Sequence, residues 1–267
     1  MDRLTELENR SIYIIREAYN QFDNLAALWS VGKDSTALVW LCKKAFFGEV
    51  PFPVIYIDTG HHFKEMYEFR DEQVKNWDLD LIVARNDEAL QRGVGPHGES
   101  KLECCNELKT NALKNCIAER GFEALLLGIR RDEHGIRAKE RYFSPRDQQF
   151  KWNYEDQPPE LWDQYTTEAE DEFHLRVHPI LEWRELDVWL YVRRENLPVN
   201  PLYYAQEGRR YRSLGCETCT SAVESGANDL DSVIEEIRTG NTAERAGRAQ
   251  DKEDVDTMQK LRAVGYM

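Results

Sequence analysis

The feature of this sequence that most constrains its fold is an alternation of short apolar runs and longer amphipathic segments. Four apolar runs have the length and composition of buried strands, at 25–29, 54–57, 79–84 and 124–128. Segments with helical periodicity lie around them, at 4–21, 34–46, 63–77 and 103–120. Continuous apolar runs separated by helices are typical of parallel strands that are covered on both faces. The sequence therefore predicts an α/β fold with a parallel twisted sheet and helices on both faces.

The character of the sequence changes beyond residue 144. Residues 145–172 are polar and rich in proline and aromatic residues, which favours a long loop. Helical periodicity returns at 185–195 and 230–238. We therefore expect an α/β core at 1–144 and an irregular, partly helical C-terminal region at 145–267 that packs on the core.

The composition limits where the protein works and what it contacts. The chain of 267 residues has 35 Lys and Arg against 49 Asp and Glu, a net charge of −14. Such a surface repels nucleic acid at long range, so contact with nucleic acid is expected only through partners. No apolar run approaches the roughly 20 residues of a membrane span, and the polar first residues lack signal-peptide features. We expect a cytoplasmic protein without membrane contact, and homo-oligomerisation stays open.

A candidate anion-binding turn follows the first predicted strand. It reads Ser30-Val31-Gly32-Lys33-Asp34-Ser35-Thr36. We expect Gly32 to permit a tight turn, after which backbone amides and the start of the next helix point at an anion. Hydroxyl groups and the Lys33 ammonium add donors and charge, which suits pyrophosphate. The Walker A spacing is absent, and a serine-capped turn without a ligand is the alternative.

This turn resembles the PP-loop of the ATP pyrophosphatase superfamily. Within it, the chain is similar to the sulfate adenylyltransferase small subunit and the phosphoadenylyl-sulfate reductase family. The matching stretches are Pro51-Phe52-Pro53, Asp58-Thr59-Gly60, Glu65-Met66-Tyr67-Glu68-Phe69-Arg70-Asp71, Arg130-Arg131-Asp132-Glu133, Arg137-Ala138-Lys139-Glu140-Arg141, Pro159-Glu160-Leu161-Trp162, Ala222-Val223-Glu224-Ser225 and Glu244-Arg245. The resemblance implies an adenine nucleotide α-hydrolase-like fold and cleavage of ATP to AMP and pyrophosphate.

The resemblance also implies roles for individual residues. The nucleotide-binding set would be Ser30, Val31, Gly32, Lys33, Asp34, Ser35, Thr36, Asp58, Thr59, Gly60 and Gly128. The catalytic set would be Lys33, Asp34, Arg130, Arg131, Lys139 and Arg141, with Arg137 beside them, facing the α-phosphate or the acceptor anion. Basic residues there would stabilise charge at the transferring phosphorus. Asp34 is a candidate contact for Mg²⁺, or a helix cap. From the residues alone, the basic cluster also fits a solvated, ion-paired face.

Two cysteine pairs are the remaining candidate site. Cys104 and Cys105 are adjacent, and Cys216 and Cys219 form a C-x-x-C pair, an arrangement typical of a metal site in a reducing compartment. Adenylyl-sulfate reductases, which the arrangement resembles, hold a 4Fe–4S cluster with it. Zn²⁺ and four unligated thiols are the alternatives. Cys42 and Cys116 fall on apolar helix faces and are expected in the core.

These features leave several functions open. The preferred hypothesis is an iron–sulfur ATP pyrophosphatase that activates an oxygen for sulfur insertion, as in DNA phosphorothioation, with a cysteine desulfurase as partner. The alternative is a sulfate adenylyltransferase small subunit with a GTPase large subunit as partner. Against that alternative, an insertion usual in that subunit is missing around 206–211. A reductase function is disfavoured because it needs a nucleophilic cysteine near the C-terminus, and no cysteine follows Cys219. A non-catalytic scaffold is disfavoured because the loop is intact.

Overall fold

The structure is a computed structural model. It describes residues 2–98, 100–135, 137–155, 157, 159–160, 164–165, 172–240, 244–245 and 247, with the backbone alone at 172–173.

The centre of the molecule is a six-stranded sheet with the order β3-β2-β1-β4-β6-β5. Its strands are β1 (Leu25–Leu28), β2 (Val54–Ile57), β3 (Leu81–Ala84), β4 (Ala124–Leu126), β5 (Phe143–Asp147) and β6 (Glu172–Val177). All neighbouring strands are parallel except β5 and β6, which are antiparallel. The predicted parallel α/β sheet is therefore confirmed.

Helices cover the sheet. They are α1 (Arg3–Gln21), α2 (Lys33–Ala45), α3 (Lys64–Trp77), α4 (Asp87–Gln91), α5 (Lys101–Cys105), α6 (Ala112–Arg120), α7 (Glu185–Glu195) and α8 (Leu230–Thr239). Helices α1, α2 and α7 pack on one another, and every residue of β1, β2 and β4 is buried. The apolar runs thus bury both faces, as continuous hydrophobic strands require. Within the described residues, no helix is long and apolar enough to cross a membrane.

Two features differ from the sequence expectations. The predicted loop at 145–172 begins inside β5, which pairs with β6 at the sheet edge, so both strands extend the sheet of the core. The predicted helix at 103–120 contains a π-helical segment, Asn106–Asn111, between α5 and α6. The division of the chain at residue 144 stays a prediction, and much of 145–171 and 241–267 lies outside the described residues.

The order of the strands places a crevice between β1 and β4. The chain leaves β1 toward β2 and β3 on one side, whereas β4 continues to β6 on the other. The loops that follow β1 and β4 therefore diverge at their carboxyl ends, which is where open parallel sheets bind ligands. Residues 29–32 and 127–130 lie at this point.

A small two-stranded sheet carries the second half of the chain past the same edge. Its strands are β7 (Arg209–Arg210) and β8 (Val223–Glu224), which pair antiparallel. The C-x-x-C pair lies between them. An isolated bridge between His62 and Cys216 joins this loop to the segment that follows β2. The fold thus brings the loops after β1, β2 and β4 and the cysteine loop to one side of the sheet.

Candidate active site

The turn after β1 has one residue in the left-handed region. This residue is Val31, with a φ of 54°, whereas Gly32, the N-cap of α2, has a φ of −81°. The expected tight turn at Gly32 therefore does not use the positive φ that glycine permits. A β-branched residue at positive φ is strained, and such strain persists only where surrounding contacts fix it. Gly32 is needed instead for space, because a Cβ there would lie 3.3 Å from the Tyr203 hydroxyl.

Hydroxyl groups hold the turn closed. The Ser30 amide donates to Ser35 Oγ over 3.2 Å, and Ser35 Oγ donates to the Gly32 carbonyl over 3.1 Å. One turn further along, the Trp29 indole N–H donates to Thr36 Oγ1 over 3.0 Å. These bonds tie the end of β1 to the first turn of α2, so the loop is shaped before any ligand binds.

Tyr203 supports the loop from below. Its hydroxyl accepts a hydrogen bond from the Lys33 amide over 3.0 Å, and its ring packs edge-on against Trp189. Tyr203 is 1% exposed, and burial raises the pKa of its phenol to about 12, with Lys33 opposing that rise. The phenol therefore stays neutral and fixes the first amide of α2.

Lys33 and Arg130 converge above the loop, with two carboxylates between them. Lys33 Nζ lies 2.9 Å from Asp34 Oδ2, and Arg130 Nε lies 2.7 Å from Asp34 Oδ1. Glu244 forms ion pairs with both cations, one through each carboxylate oxygen. Asp34 and Glu244 thus bridge the same lysine and arginine. The two cations are 1% and 0% exposed, which makes this a buried four-charge network.

The network fixes the charge of its members. Burial alone would lower the pKa of Lys33, but Asp34 and Glu244 raise it well above its ordinary value. The pKa of Arg130 is raised by the same carboxylates against the effect of burial. Burial would raise the pKa of Glu244, but Arg130 and Lys33 lower it. The lysine, the arginine and the glutamate are therefore all ionised at neutral pH.

Gly128 brings the loop after β4 against the loop after β1. A Cβ at this position would lie 3.0 Å from the Cα and amide nitrogen of Ser35. No side chain fits there without moving the backbone. The absence of a side chain at Gly128 is therefore what lets the two loops form one wall.

A second charge cluster flanks the first. Glu133 pairs with Arg137, and Arg245 Nη1 lies 3.2 Å from Glu133 Oε1. Burial would raise the pKa of Glu133, but Arg137 and Arg245 hold it well below its ordinary value. The two clusters border a cavity of about 170 Å³.

The cavity contains some of the predicted nucleotide residues and not others. Those that line it are Ser30, Gly32, Lys33, Asp34, Ser35 and Gly128. Those that do not are Val31, Thr36, Asp58, Thr59 and Gly60. The nucleotide-binding roles of all these residues stay predictions, but the first group shares one concave surface.

The predicted catalytic residues also divide. Lys33 and Asp34 line the cavity, and the buried Arg130 contacts both Asp34 and Glu244 from behind its wall. Arg131, Lys139 and Arg141 lie outside the lining. Arg131 pairs with Glu182 at 3.2 Å. The Lys139 ammonium lies 4.4 Å from the centre of the Tyr154 ring. The Arg141 carbonyl is 2.7 Å from His178 Nδ1. In this structure these three basic residues are therefore not gathered at the cavity.

Asp58 has a structural setting at the end of β2. Its carboxylate accepts hydrogen bonds from the Gly60 amide and the Tyr67 hydroxyl, both over 2.8 Å, and pairs with Arg85 at 3.0 Å. Burial would raise its pKa, but these donors lower it below the ordinary value of 3.8. Asp58 therefore braces the loop that carries His62 to the cavity.

The four paired cysteines lie next to the cavity. All four are buried, and none is in a disulfide. The same holds for Cys42 and Cys116. Cys216 Sγ lies 3.3 Å from Thr59 Oγ1, and Gly215 beside it lines the cavity. Burial raises the pKa of Cys104 to about 12, and Cys105, Cys216 and Cys219 contribute to the rise, so the two pairs are close in space.

A positively charged side chain and a histidine lie near Cys216. Burial would raise the pKa of Cys216, but Lys109 and a hydrogen bond with His62 lower it to about 5. Lys109 belongs to the π-helical segment directly after Cys105 and lines the cavity together with His62. The segment thus connects the cysteine pairs to the cavity wall, and π-helical turns are frequent at functional sites.

The fit of metal ions to these residues differs between the two candidate sites. Among the described residues, no group of three or more His, Cys, Asp or Glu side chains is arranged to hold a metal ion. Four buried thiols from two adjacent segments suit an iron–sulfur cluster in number and chemistry, although they do not converge as ligands here. Both Asp34 oxygens are engaged by Lys33 and Arg130, so Asp34 holds cations in place and does not form a Mg²⁺ site by itself.

Three residues of the site were not assigned a role from the sequence. They are Tyr203, Lys109 and Glu244. Tyr203 and Glu244 lie 170 and 211 residues along the chain from Lys33, so local patterns carry no sign of their contacts. Glu244-Arg245 was recognisable only as a stretch shared with the resembled family.

Comparisons with known proteins show the family of this chain. Residues 24–222 match the family model of the phosphoadenosine phosphosulfate reductase domain. The chain belongs to this family. It is thereby a member of the PP-loop superfamily, as the sequence predicts.

Relatives extend over the whole chain. It is 40% identical to sulfate adenylyltransferase subunit 2 from Bacteroides thetaiotaomicron, covering 100% of this chain and 98% of the relative. The subunit of the same name from Colwellia psychrerythraea is 38% identical, with 100% and 99% covered. Both alignments span 296 positions, of which this chain can fill only 267.

Solved structures share the fold at low identity. Phosphoadenylyl-sulfate reductase from Candida auris superimposes with a TM-score of 0.56 at 16% identity, covering 84% of this chain and 98% of that one. FMN adenylyltransferase from Candida glabrata gives a TM-score of 0.58 at 18% identity, with 99% and 84% covered. These likenesses support the α/β architecture alone.

Proposed function

We propose that this protein cleaves ATP between its α- and β-phosphates, releases pyrophosphate and transfers the adenylyl group to sulfate. The observation that carries the proposal is the convergence of Lys33 and Arg130 above a prearranged loop at the crevice between β1 and β4. Two buried cations next to a helix N-terminus form a binding site for a leaving pyrophosphate.

The family gives the enzyme class. The named relatives are adenylyltransferase subunits, and the chain is an enzyme of the ATP pyrophosphatase and adenylyltransferase class. Their names also favour sulfate as the acceptor over the sulfur-insertion hypothesis that we preferred from the sequence. By the same relationship we propose a large subunit as partner.

The geometry suggests how the residues act. The loop of residues 30–35, including the Lys33 ammonium, would hold the β- and γ-phosphates. Arg130 would neutralise the charge that develops on the leaving pyrophosphate. Asp34 keeps Lys33 and Arg130 aligned with each other. Mg²⁺ would reach the site on the phosphates of ATP, where it neutralises their charge. Catalysis in this account rests on positioning and on charge, because the attacking oxygen belongs to sulfate and the bond to pyrophosphate is the one that breaks.

The test of this function is sulfate-dependent pyrophosphate release. Purified protein is incubated with Mg-ATP, with and without sulfate, alone and with a sulfate adenylyltransferase large subunit. We expect release that requires sulfate, and release without any dependence on sulfate would refute this acceptor. Asp34→Asn should abolish release, whereas Asp231→Asn, at the exposed first turn of α8, should not change it.

A second candidate function is favoured by the cysteines. In it, an iron–sulfur enzyme activates an oxygen of nucleic acid for sulfur insertion, with a cysteine desulfurase as partner. Its support is the position of Cys104, Cys105, Cys216 and Cys219 beside the adenylyl-transfer cavity, through Lys109 and Gly215. These four thiols would hold a 4Fe–4S cluster, and Zn²⁺ is the competing occupant.

Metal content of anaerobically purified protein tests the second candidate. We expect about four irons per chain and a broad absorbance near 400 nm if the cluster is present. Cys219→Ser should lose the iron, and Cys116→Ser, a buried cysteine of α6, should keep it. Colourless protein with one zinc or no metal would remove the cluster from the account while leaving ATP cleavage intact.

A further inference from the structure

The two cations of the proposed phosphate site are enclosed by other side chains. Lys33 and Arg130 are almost completely shielded from solvent. The cavity beside them measures about 170 Å³, whereas sites for ligands of nucleotide size usually measure roughly 300–1,000 Å³. A triphosphate would therefore have to compete with the carboxylates that already pair with these cations.

One part of the cavity wall that lies outside the sheet and α2 is Glu244. The loop after β1 and Arg130 directly follow strands β1 and β4, and they are braced by Ser35, Tyr203 and the close approach of Gly128. Glu244 comes from beyond α8, outside the sheet. Its described neighbours attach it through Arg245 to Glu133 and through the Gly247 carbonyl, which accepts a bond from the Ser221 amide over 2.9 Å.

Glu244 has the chemistry of the ligand that the site is built for. Its two carboxylate oxygens each face one cation, Lys33 on one side and Arg130 on the other. Two oxygens of a pyrophosphate would make the same two contacts. A carboxylate in that place satisfies the buried cations, which otherwise would be costly to leave unpaired.

We propose that Glu244 is an internal substitute for phosphate, which occupies the pyrophosphate position of the free enzyme and must be displaced before ATP binds. This inference rests on the proposed function, because it takes the Lys33–Arg130 site to be the phosphate site. Glu244 then sets the affinity of the enzyme for polyphosphate. It also keeps the paired cations of the free enzyme from capturing other anions.

The test is the binding of inorganic pyrophosphate to the full-length protein by isothermal titration calorimetry. Glu244→Gln keeps the size of the side chain and removes the competing charge, so we expect the Kd for pyrophosphate to fall by about tenfold or more, as for loss of one charge-assisted contact. Glu235→Gln, exposed on α8, is the matched control and should bind like the wild type. Equal or weaker binding by Glu244→Gln would overturn the proposal.

A second variant moves the segment without removing the carboxylate. A Cβ at Gly247 would lie 2.3 Å from the Ser221 carbonyl oxygen, so Gly247→Ala should displace the segment and also lower the Kd. Gly226→Ala, with open space around it, is its control. Unchanged affinity in Gly247→Ala would count against the proposal, and thermal melting checks that each variant is folded. If no protein bound pyrophosphate, the proposed function would fail, whereas normal binding by all variants would overturn the role of Glu244 alone.

Discussion

Adding one methyl group at Gly128 should lower both the rate of catalysis and the stability of the fold. The new Cβ would lie 3.0 Å from the Ser35 Cα and amide nitrogen and 3.1 Å from the Asp34 carbonyl carbon, tighter than ordinary contact at 3.4–4 Å. These are backbone atoms of the phosphate loop, which cannot rotate away. The loop must therefore shift by a few tenths of an ångström.

The size of the effect follows from that shift. Overpacking of a well-packed interior costs about 1–3 kcal/mol of the free energy of unfolding. A misplacement of about 1 Å in a catalytic site can cost about 100-fold in rate, so we expect Gly128→Ala to lower kcat by about tenfold. Pyrophosphate release measures kcat, and urea unfolding measures stability. Gly226→Ala is the control, because a Cβ there meets nothing within 4 Å. Wild-type kcat and stability in Gly128→Ala would refute the close approach of the two loops.

Two further predictions concern residues that support the site. Tyr203→Phe removes the hydroxyl that accepts a hydrogen bond from the Lys33 amide over 3.0 Å. We expect it to lower the free energy of unfolding by about 1–3 kcal/mol and to raise the KM for ATP. An unchanged KM would show that Tyr203 does not position the loop. Asp58→Asn should destabilise by about 1–3 kcal/mol at pH 7, as judged by urea unfolding. The pKa of Asp58 in the folded protein lies below its ordinary value of 3.8, so the ionised carboxylate stabilises the fold above pH 3.8 and this stabilisation is lost as the pH falls. The free energies of unfolding of the wild type and Asp58→Asn should therefore converge in acid. A difference that persists there would contradict the role given to Asp58.

The regular part of the molecule follows from local sequence patterns. The strand at 54–57 and the helix at 185–195 have the bounds predicted for them, because apolar runs and helical periodicity are both local signals. The loop after β1 was also recognisable as a candidate anion-binding turn, since Gly, Lys and two serines follow an apolar strand directly. Its conformation was not, because a pattern of residue types does not reveal that Val31 takes the left-handed angle.

Features that depend on distant contacts were not predictable in this way. Strands β5 and β6 pair across a polar stretch that reads as a loop. Glu244 reaches Lys33 from 211 residues away. The basic residues after β4 share one short stretch, yet Arg130 points to the phosphate loop whereas Arg131 points to Glu182. The direction of each side chain is set by tertiary packing, which the sequence motif does not encode.

Two groups of side chains with different chemistry meet at one cavity. The charge network of Lys33, Arg130, Asp34 and Glu244 suits polyphosphate, and Lys109 and Gly215 connect the cysteine pairs to the same cavity. The names of the relatives are the basis of the first proposed function, and the four thiols are the basis of the second. Both functions share one first step, the cleavage of ATP next to its α-phosphate.

That shared step is tested most directly by identifying the nucleotide product of ATP turnover. ATP carrying a label at the α-phosphorus is incubated with the enzyme, Mg²⁺ and acceptor, and the labelled product is separated by chromatography. The account predicts label in AMP or an adenylylated acceptor, with one pyrophosphate released for each. Label that accumulates in ADP, with release of inorganic phosphate, would contradict it.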